Sequence, residues 1–120
     1  MSNKKILICE DDQSILDILH LVLMHAGYNT VLSNTCTGIN ELVAEENPNL
    51  VLLDLWMPGM NGDIALQQLR QKPATMDLPV IIISASHEGA QIARSAGATA
   101  FVAKPFDINH LLETVRKYLA

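Results

Sequence analysis

Short, unbroken apolar runs alternate along the chain with stretches whose apolar residues recur every three or four positions. Runs of the first kind read as strands covered on both faces, and stretches of the second kind as helices laid across them. Residues 5–9, Lys-Ile-Leu-Ile-Cys, are the first run and stop at Glu10-Asp11-Asp12. Residues 14–26 carry a stripe of Ile15, Ile18, Leu19, Val22, Leu23 and Ala26, with Ser14 as cap and Gly27 as stop. Residues 28–33 alternate as a second strand, and Ile39, Leu42 and Val43 mark a short helix ending before Pro48. Residues 50–54 are the third run, and 63–71 a helix with Ile64, Leu66 and Leu69 turned inward. Lys72 to Asp77 is a loop closed by Pro79, and 80–83 (Val-Ile-Ile-Ile) a fourth strand ending at Ser84. Residues 88–96 offer only Ala90, Ile92, Ala93 and Ala96 as apolar contacts before Gly97, the thinnest helix of the set. Residues 100–103 form a last strand before Lys104-Pro105. Asp107 then caps a helix with Ile108, Leu111, Leu112, Val115 and Leu119 on one face and Arg116 and Lys117 at the negative end of its dipole.

Five strands alternating with five helices predict a parallel sheet covered on both sides, with right-handed crossovers. The stretch that organises the rest is 50–62, where an apolar run ends abruptly in Asp54 and is followed by the turn-forming Pro58, Gly59 and Gly62. Asp54 then stands at the carboxyl edge of the sheet, where open α/β sheets bind ligands. Alone it could cap a helix or brace a turn.

Composition narrows the classes. A chain of 120 residues, 49% hydrophobic, is expected to be one domain with a real core rather than a disordered segment. No apolar run approaches the roughly 20 residues that cross a bilayer, and the amino terminus lacks the form of a signal peptide, so a cytoplasmic protein without membrane attachment is expected. The net charge of −5 argues against a nucleic-acid surface. The two cysteines, Cys9 and Cys36, make neither a disulfide framework nor a zinc site and read as small buried hydrophobes. His20, His25, His87 and His110 share no spacing that makes a metal site.

The strand ends bring the chemistry together. The first delivers Glu10, Asp11 and Asp12, the third Asp54, the fourth Ser84 and the fifth Lys104. If strands one and three are neighbours, several carboxylates crowd together, and like charges so close keep a proton unless a cation intervenes. All the donors are hard oxygens, which suits Mg²⁺ or Mn²⁺ better than zinc. Carboxylate, hard metal, hydroxyl and ammonium together fit phosphoryl transfer. The carboxylate attacks, while metal and ammonium neutralise charge on the transferred oxygens. Asp12 is read as a helix cap rather than a ligand.

The segments Ile6-Leu-Ile-Cys-Glu-Asp-Asp12, Leu53-Asp-Leu-Trp-Met-Pro-Gly-Met-Asn-Gly62, Ile83-Ser-Ala85, Ala96-Gly-Ala98 and Lys104-Pro-Phe106 together resemble the receiver domain of two-component response regulators, over essentially the whole chain. The resemblance implies a flavodoxin-like (βα)5 sandwich with strand order 2-1-3-4-5. It implies that Asp54 accepts a phosphoryl group from a phosphohistidine on a sensor histidine kinase or histidine phosphotransfer protein. It implies that Glu10, Asp11, Asp54 and the backbone carbonyl of Trp56 hold Mg²⁺, and that Ser84 and Lys104 contact the phosphoryl group. Ser84 and Phe101 fall at the family's switch positions, and Pro105 where its peptide bond is cis. Phosphorylation would then change the face formed by the fourth helix, fifth strand and fifth helix, which is read by a downstream protein or output domain and through which the family often forms homodimers.

Two departures stand out. The region after the acidic cluster, where a basic residue is often found, reads Ile15-Leu16-Asp17. The stretch between Ser84 and Gly97 is about two residues short, so the fourth helix or its preceding loop should be trimmed. A small-molecule phosphatase would want Asp-x-Asp after the first strand, and a flavin carrier a Gly/Ser/Thr-rich phosphate cradle in place of Glu10-Asp11-Asp12. A receiver-like module working without phosphate is disfavoured by the full set of acidic, hydroxyl and lysine positions. The chain is therefore expected to catalyse only its own phosphorylation and dephosphorylation. The indole of Trp56, at a position beside the path of the hydrolytic water in the family, is expected to lengthen the life of an aspartyl phosphate.

Overall fold

A computed structural model of the protein describes residues 4–57 and 59–119. The turn expected at Pro58 and the sequence reading of residues 1–3 fall outside them. Five strands, β1 (Lys5–Cys9), β2 (Asn29–Ser33), β3 (Leu50–Asp54), β4 (Val80–Ser84) and β5 (Ala100–Ala103), alternate with five helices. These are α1 (Gln13–His25), α2 (Ile39–Glu46), α3 (Gly62–Arg70), α4 (Gly89–Ala96) and α5 (Ile108–Leu119). The strands are all parallel, in the order β2-β1-β3-β4-β5, the flavodoxin-like arrangement. Among the described residues no helix is long and apolar enough to cross a membrane.

Successive side chains of a strand point to opposite faces, so each apolar run feeds two cores. Leu7, Cys9, Val51, Leu53 and Ile82 pack against Ile39 and Val43 of α2, Leu66 and Leu69 of α3, and Ala93 and Ala96 of α4. Ile6, Ile8, Leu50, Leu52, Ile81 and Ile83 meet Leu16, Leu19 and Leu23 of α1 and Leu111, Val115 and Leu119 of α5. Both cysteines are free and buried, as expected.

Helix faces differ from the sequence reading at three isoleucines. Ile18, Ile64 and Ile108 are 44–45% exposed, whereas Leu16, Ala65 and Leu111 are buried. One residue turns a helix by about 100°, so Ile18 beside the buried Leu19 and Ile64 beside the buried Ala65 fall at the rim of their stripes, while Ile108 opens the first turn of α5. The cap of α1 is Asp12, whose Oδ1 accepts from the amides of Ser14 (2.9 Å) and Ile15 (3.3 Å); Ser14 does not take that role. Asp107 Oδ1 does the same for Asn109 and His110 at α5.

The turn after β3 closes where Gly62 donates its amide to the Leu55 carbonyl (2.7 Å). A Cβ on Gly62 would collide with the carbonyl oxygen of Asp54 and lie 3.1 Å from Leu55 Cα. Helix propensity alone favours alanine over glycine by about 1 kcal/mol, but the obstacle here is backbone. Gly62→Ala should therefore destabilise the protein by about 2–3 kcal/mol in urea unfolding.

Candidate functional site

The parallel ladder carries each strand end to the same edge. β1 exits at Glu10, whose amide donates to the Ser33 carbonyl (3.0 Å); β3 exits at Asp54; β4 exits at Ser84, whose carbonyl accepts from Lys104 N (2.9 Å). Asp54 lies opposite Ile83 in the register, which puts Ser84 one residue beyond it on the neighbouring strand. Among the described residues Glu10, Asp54 and Ser84 are the buried polar ones, at 1%, 6% and 1% exposure. Asp11 stands in solvent at the rim.

One oxygen from each of Glu10, Asp11 and Asp54 lies within 4.8 Å of the others. Lys104 Nζ reaches over this group, 2.8 Å from Glu10 Oε1 and 3.4 Å from Asp54 Oδ2. The second Glu10 oxygen accepts the Asp12 amide at 3.1 Å. Burial, reinforced by the neighbouring Glu10 carboxylate, pushes the Asp54 carboxyl up to about 7, with Lys104 opposing. Burial alone would lower the Lys104 ammonium, but Glu10 and Asp54 outweigh it and hold it above the usual lysine value. The donor set fits a hard divalent cation: carboxylate oxygens within one small sphere, at least one of them buried and short of hydrogen bonds.

The remaining positions surround this centre. Ser84 Oγ accepts the Ser86 amide (3.1 Å). Trp56 is 46% exposed, two residues beyond Asp54. Phe101 packs at the edge of the core shared with α2, α3 and α4. The Lys104–Pro105 peptide bond is cis.

Two features escape sequence reasoning. Gly89, the first residue of α4, is buried so closely that a Cβ would lie 3.0 Å from the Phe101 ring and 3.1 Å from Ser84 Cβ. Cys36 donates its thiol to the Met60 carbonyl at 2.7 Å. Its pKa is raised by burial, and further by the charges of Asp54 and Asp63. In the sequence Gly89 looks like an ordinary helix-start glycine and Cys36 like an isolated small residue. Only the tertiary fold gives them these neighbours.

An acidic cluster and a lysine at the carboxyl edge of a 2-1-3-4-5 sheet define a signalling receiver rather than a nucleotide carrier. The chain matches the response regulator receiver domain over residues 6–116 and belongs to that family, the receivers of two-component signalling. It is 39% identical to sporulation initiation phosphotransferase F of Bacillus subtilis (strain 168) over 121 aligned residues, covering 99% of this chain and 96% of that protein. It is 32% identical to the transcriptional regulatory protein KdpE of Staphylococcus aureus, covering 93% of this chain but 48% of that protein. Thus the chain spans about half the length of curated relatives such as KdpE. A CheY-like response regulator receiver domain protein of Methanospirillum hungatei JF-1 superposes with a TM-score of 0.88 at 30% identity, over 98% of this chain and 94% of that one.

A carboxyl that holds its proton more tightly folded than unfolded lends stability at low pH and loses it as pH rises. For Asp54 the loss runs from the ordinary value of 3.8 up to about 7. In chelator, the wild type should lose about 1–2 kcal/mol of stability relative to Asp54→Asn between pH 5 and pH 7.5, read from paired urea melts.

Proposed function

We propose that this chain is a single phospho-accepting receiver, residues 1–120, in which Asp54 takes a phosphoryl group from a phosphohistidine on a sensor histidine kinase or histidine phosphotransfer protein. The observation that carries this reading is the placement of the buried Asp54 carboxylate beside Glu10, Asp11 and Lys104. An Asp54 oxygen attacks phosphorus, the bond from phosphorus to the histidine nitrogen breaks, and the imidazole leaves with its electron pair. Glu10, Asp11, Asp54 and the Trp56 carbonyl would hold Mg²⁺ (or Mn²⁺). When bound, the ion neutralises charge on the transferred oxygens. Lys104 adds a second positive charge from the opposite strand, and the Ser84 hydroxyl turns from the Ser86 amide to a phosphoryl oxygen.

That the donor is a protein is supported by a groove of about 450 Å³ beside Lys104, lined by Ile15, Ile18, Pro105, Phe106 and Ile108. Such an apolar border suits a helical partner better than a small phosphate ester. Phosphorylation then biases Ser84, Phe101 and the α4–β5–α5 face, to be read by a downstream protein, an output domain or a second copy of the chain. Turnover is confined to the domain's own phosphorylation and dephosphorylation. The protein works in the cytoplasm and makes no direct contact with nucleic acid or membrane.

Intact mass after incubation with acetyl phosphate and Mg²⁺ tests this directly. One phosphoryl group should be gained by the wild type and lost with Asp54→Ala or with chelator. No gain from either acetyl phosphate or a phosphorylated histidine donor would overturn the reading. The exposed indole of Trp56 is placed to shield the acyl phosphate from water. Trp56→Asn should shorten its half-life by roughly threefold, a change of about 0.7 kcal/mol in barrier.

A further inference from the structure

Glu10 and Lys104 leave strands that are not neighbours. β3 and β4 lie between β1 and β5, so the strand axes stand roughly 14 Å apart at ordinary spacing. The two side chains nonetheless meet at 2.8 Å, across the top of Asp54. The ammonium is nearer to Glu10 than to Asp54, which it approaches at 3.4 Å. Glu10 Oε1 is fully buried, and its ion-pair partner is the Lys104 ammonium at 2.8 Å. The charge of Oε1 is thus balanced by the movable ammonium, whereas Oε2 is fixed by the Asp12 amide. The three carboxylates facing one ammonium carry a formal surplus of two negative charges, which one divalent cation balances.

We propose that Glu10 is a shared carboxylate whose Oε1 holds the Lys104 ammonium aside in the cation-free protein and gives it up when a divalent cation binds. Occupation of the acidic cluster and release of Lys104 toward Asp54 are then one event. Lys104 becomes available to an incoming phosphoryl group only in the cation-loaded protein. The glutamate matters for its length. An aspartate at position 10 keeps a carboxylate for the cation but falls short of Lys104 by about 1.5 Å, one carbon–carbon bond. Glu10 is a positioning residue in this role, acting through Lys104. The inference rests on reading the cluster as a divalent-cation site and deepens it.

Lysine labelling with an amine-reactive acetylating reagent, read by peptide mass spectrometry at Lys104, tests the idea on the intact chain. Calorimetric titration with Mg²⁺ fixes saturation for each protein. In the wild type, labelling of Lys104 should rise about fivefold on saturation, the weight of one modest ion pair. In Glu10→Asp it should already be high without Mg²⁺ and change less than twofold on saturation. A nearby cation could also raise amine reactivity by simple repulsion, but that effect would operate equally in Glu10→Asp. An equal rise in both proteins therefore overturns the proposal, as does an unchanged wild type that calorimetry shows to be saturated. Absence of Mg²⁺ uptake would remove the cation site itself and the proposal with it. Failure of phosphorylation alongside the expected labelling would count against Asp54 as acceptor and leave Glu10's role standing.

Discussion

The structure depends on a sheet whose central strands have no face for water. β3 and β4 are buried at every residue, and β1 at every residue after its first. A polar side chain within them would lose its hydration without regaining partners, at a cost of a few kcal/mol. Polar chemistry is thereby pushed to the strand ends, where the ladder stops and loops begin. Because all the strands are parallel, those ends share one edge. Glu10, Asp54, Ser84 and Lys104, far apart in sequence, arrive together for the same reason that the core is dry.

The site that results sets the chain's own charges against one another. Two buried carboxylates stand close enough for Glu10 to raise the pKa of Asp54, and a single ammonium serves both. An apolar edge would be more stable. Local conflict of this kind in an otherwise consistent fold is what marks a functional position. Here the core supplies the compensation: two apolar layers flank the sheet and fix the strand ends whatever the charges prefer.

Legibility in the sequence followed the range of the signal. Residues 50–54 announce a buried strand because their apolar run is continuous, and Asp54 announces its end; the same holds at Cys9–Glu10 and Ile83–Ser84. Strand order followed from the family resemblance rather than from periodicity, which cannot tell which strands are neighbours. Ile18, Ile64 and Ile108 were misplaced inward because helical spacing fixes a stripe but not its edges. The reach of Lys104 to Glu10 links residues 94 positions apart, and no local pattern encodes it. Gly89 is similar: its contacts come from two different strands, so its lack of a side chain reads as a helix start until the fold brings Ser84 and Phe101 against it.

The connection between β4 and α4, residues 85–88, leads directly to that contact. Ser84 Oγ accepts the Ser86 amide, Ser86 Oγ accepts the Glu88 amide, and the Ser86 carbonyl accepts the Gly89 amide. Two successive hydroxyl turns thus run directly into the first turn of α4, with no slack residue between them. A longer loop could absorb a displacement of the Ser84 side chain by changing its own backbone angles. Here Ser84, Ser86, Glu88 and Gly89 are linked by these three bonds, and a Cβ on Gly89 would lie 3.0 Å from the Phe101 ring. Rotation of the Ser84 hydroxyl away from the Ser86 amide gives up only the first of these bonds, while the two bonds that Ser86 makes to Glu88 and Gly89 keep the start of α4 in place.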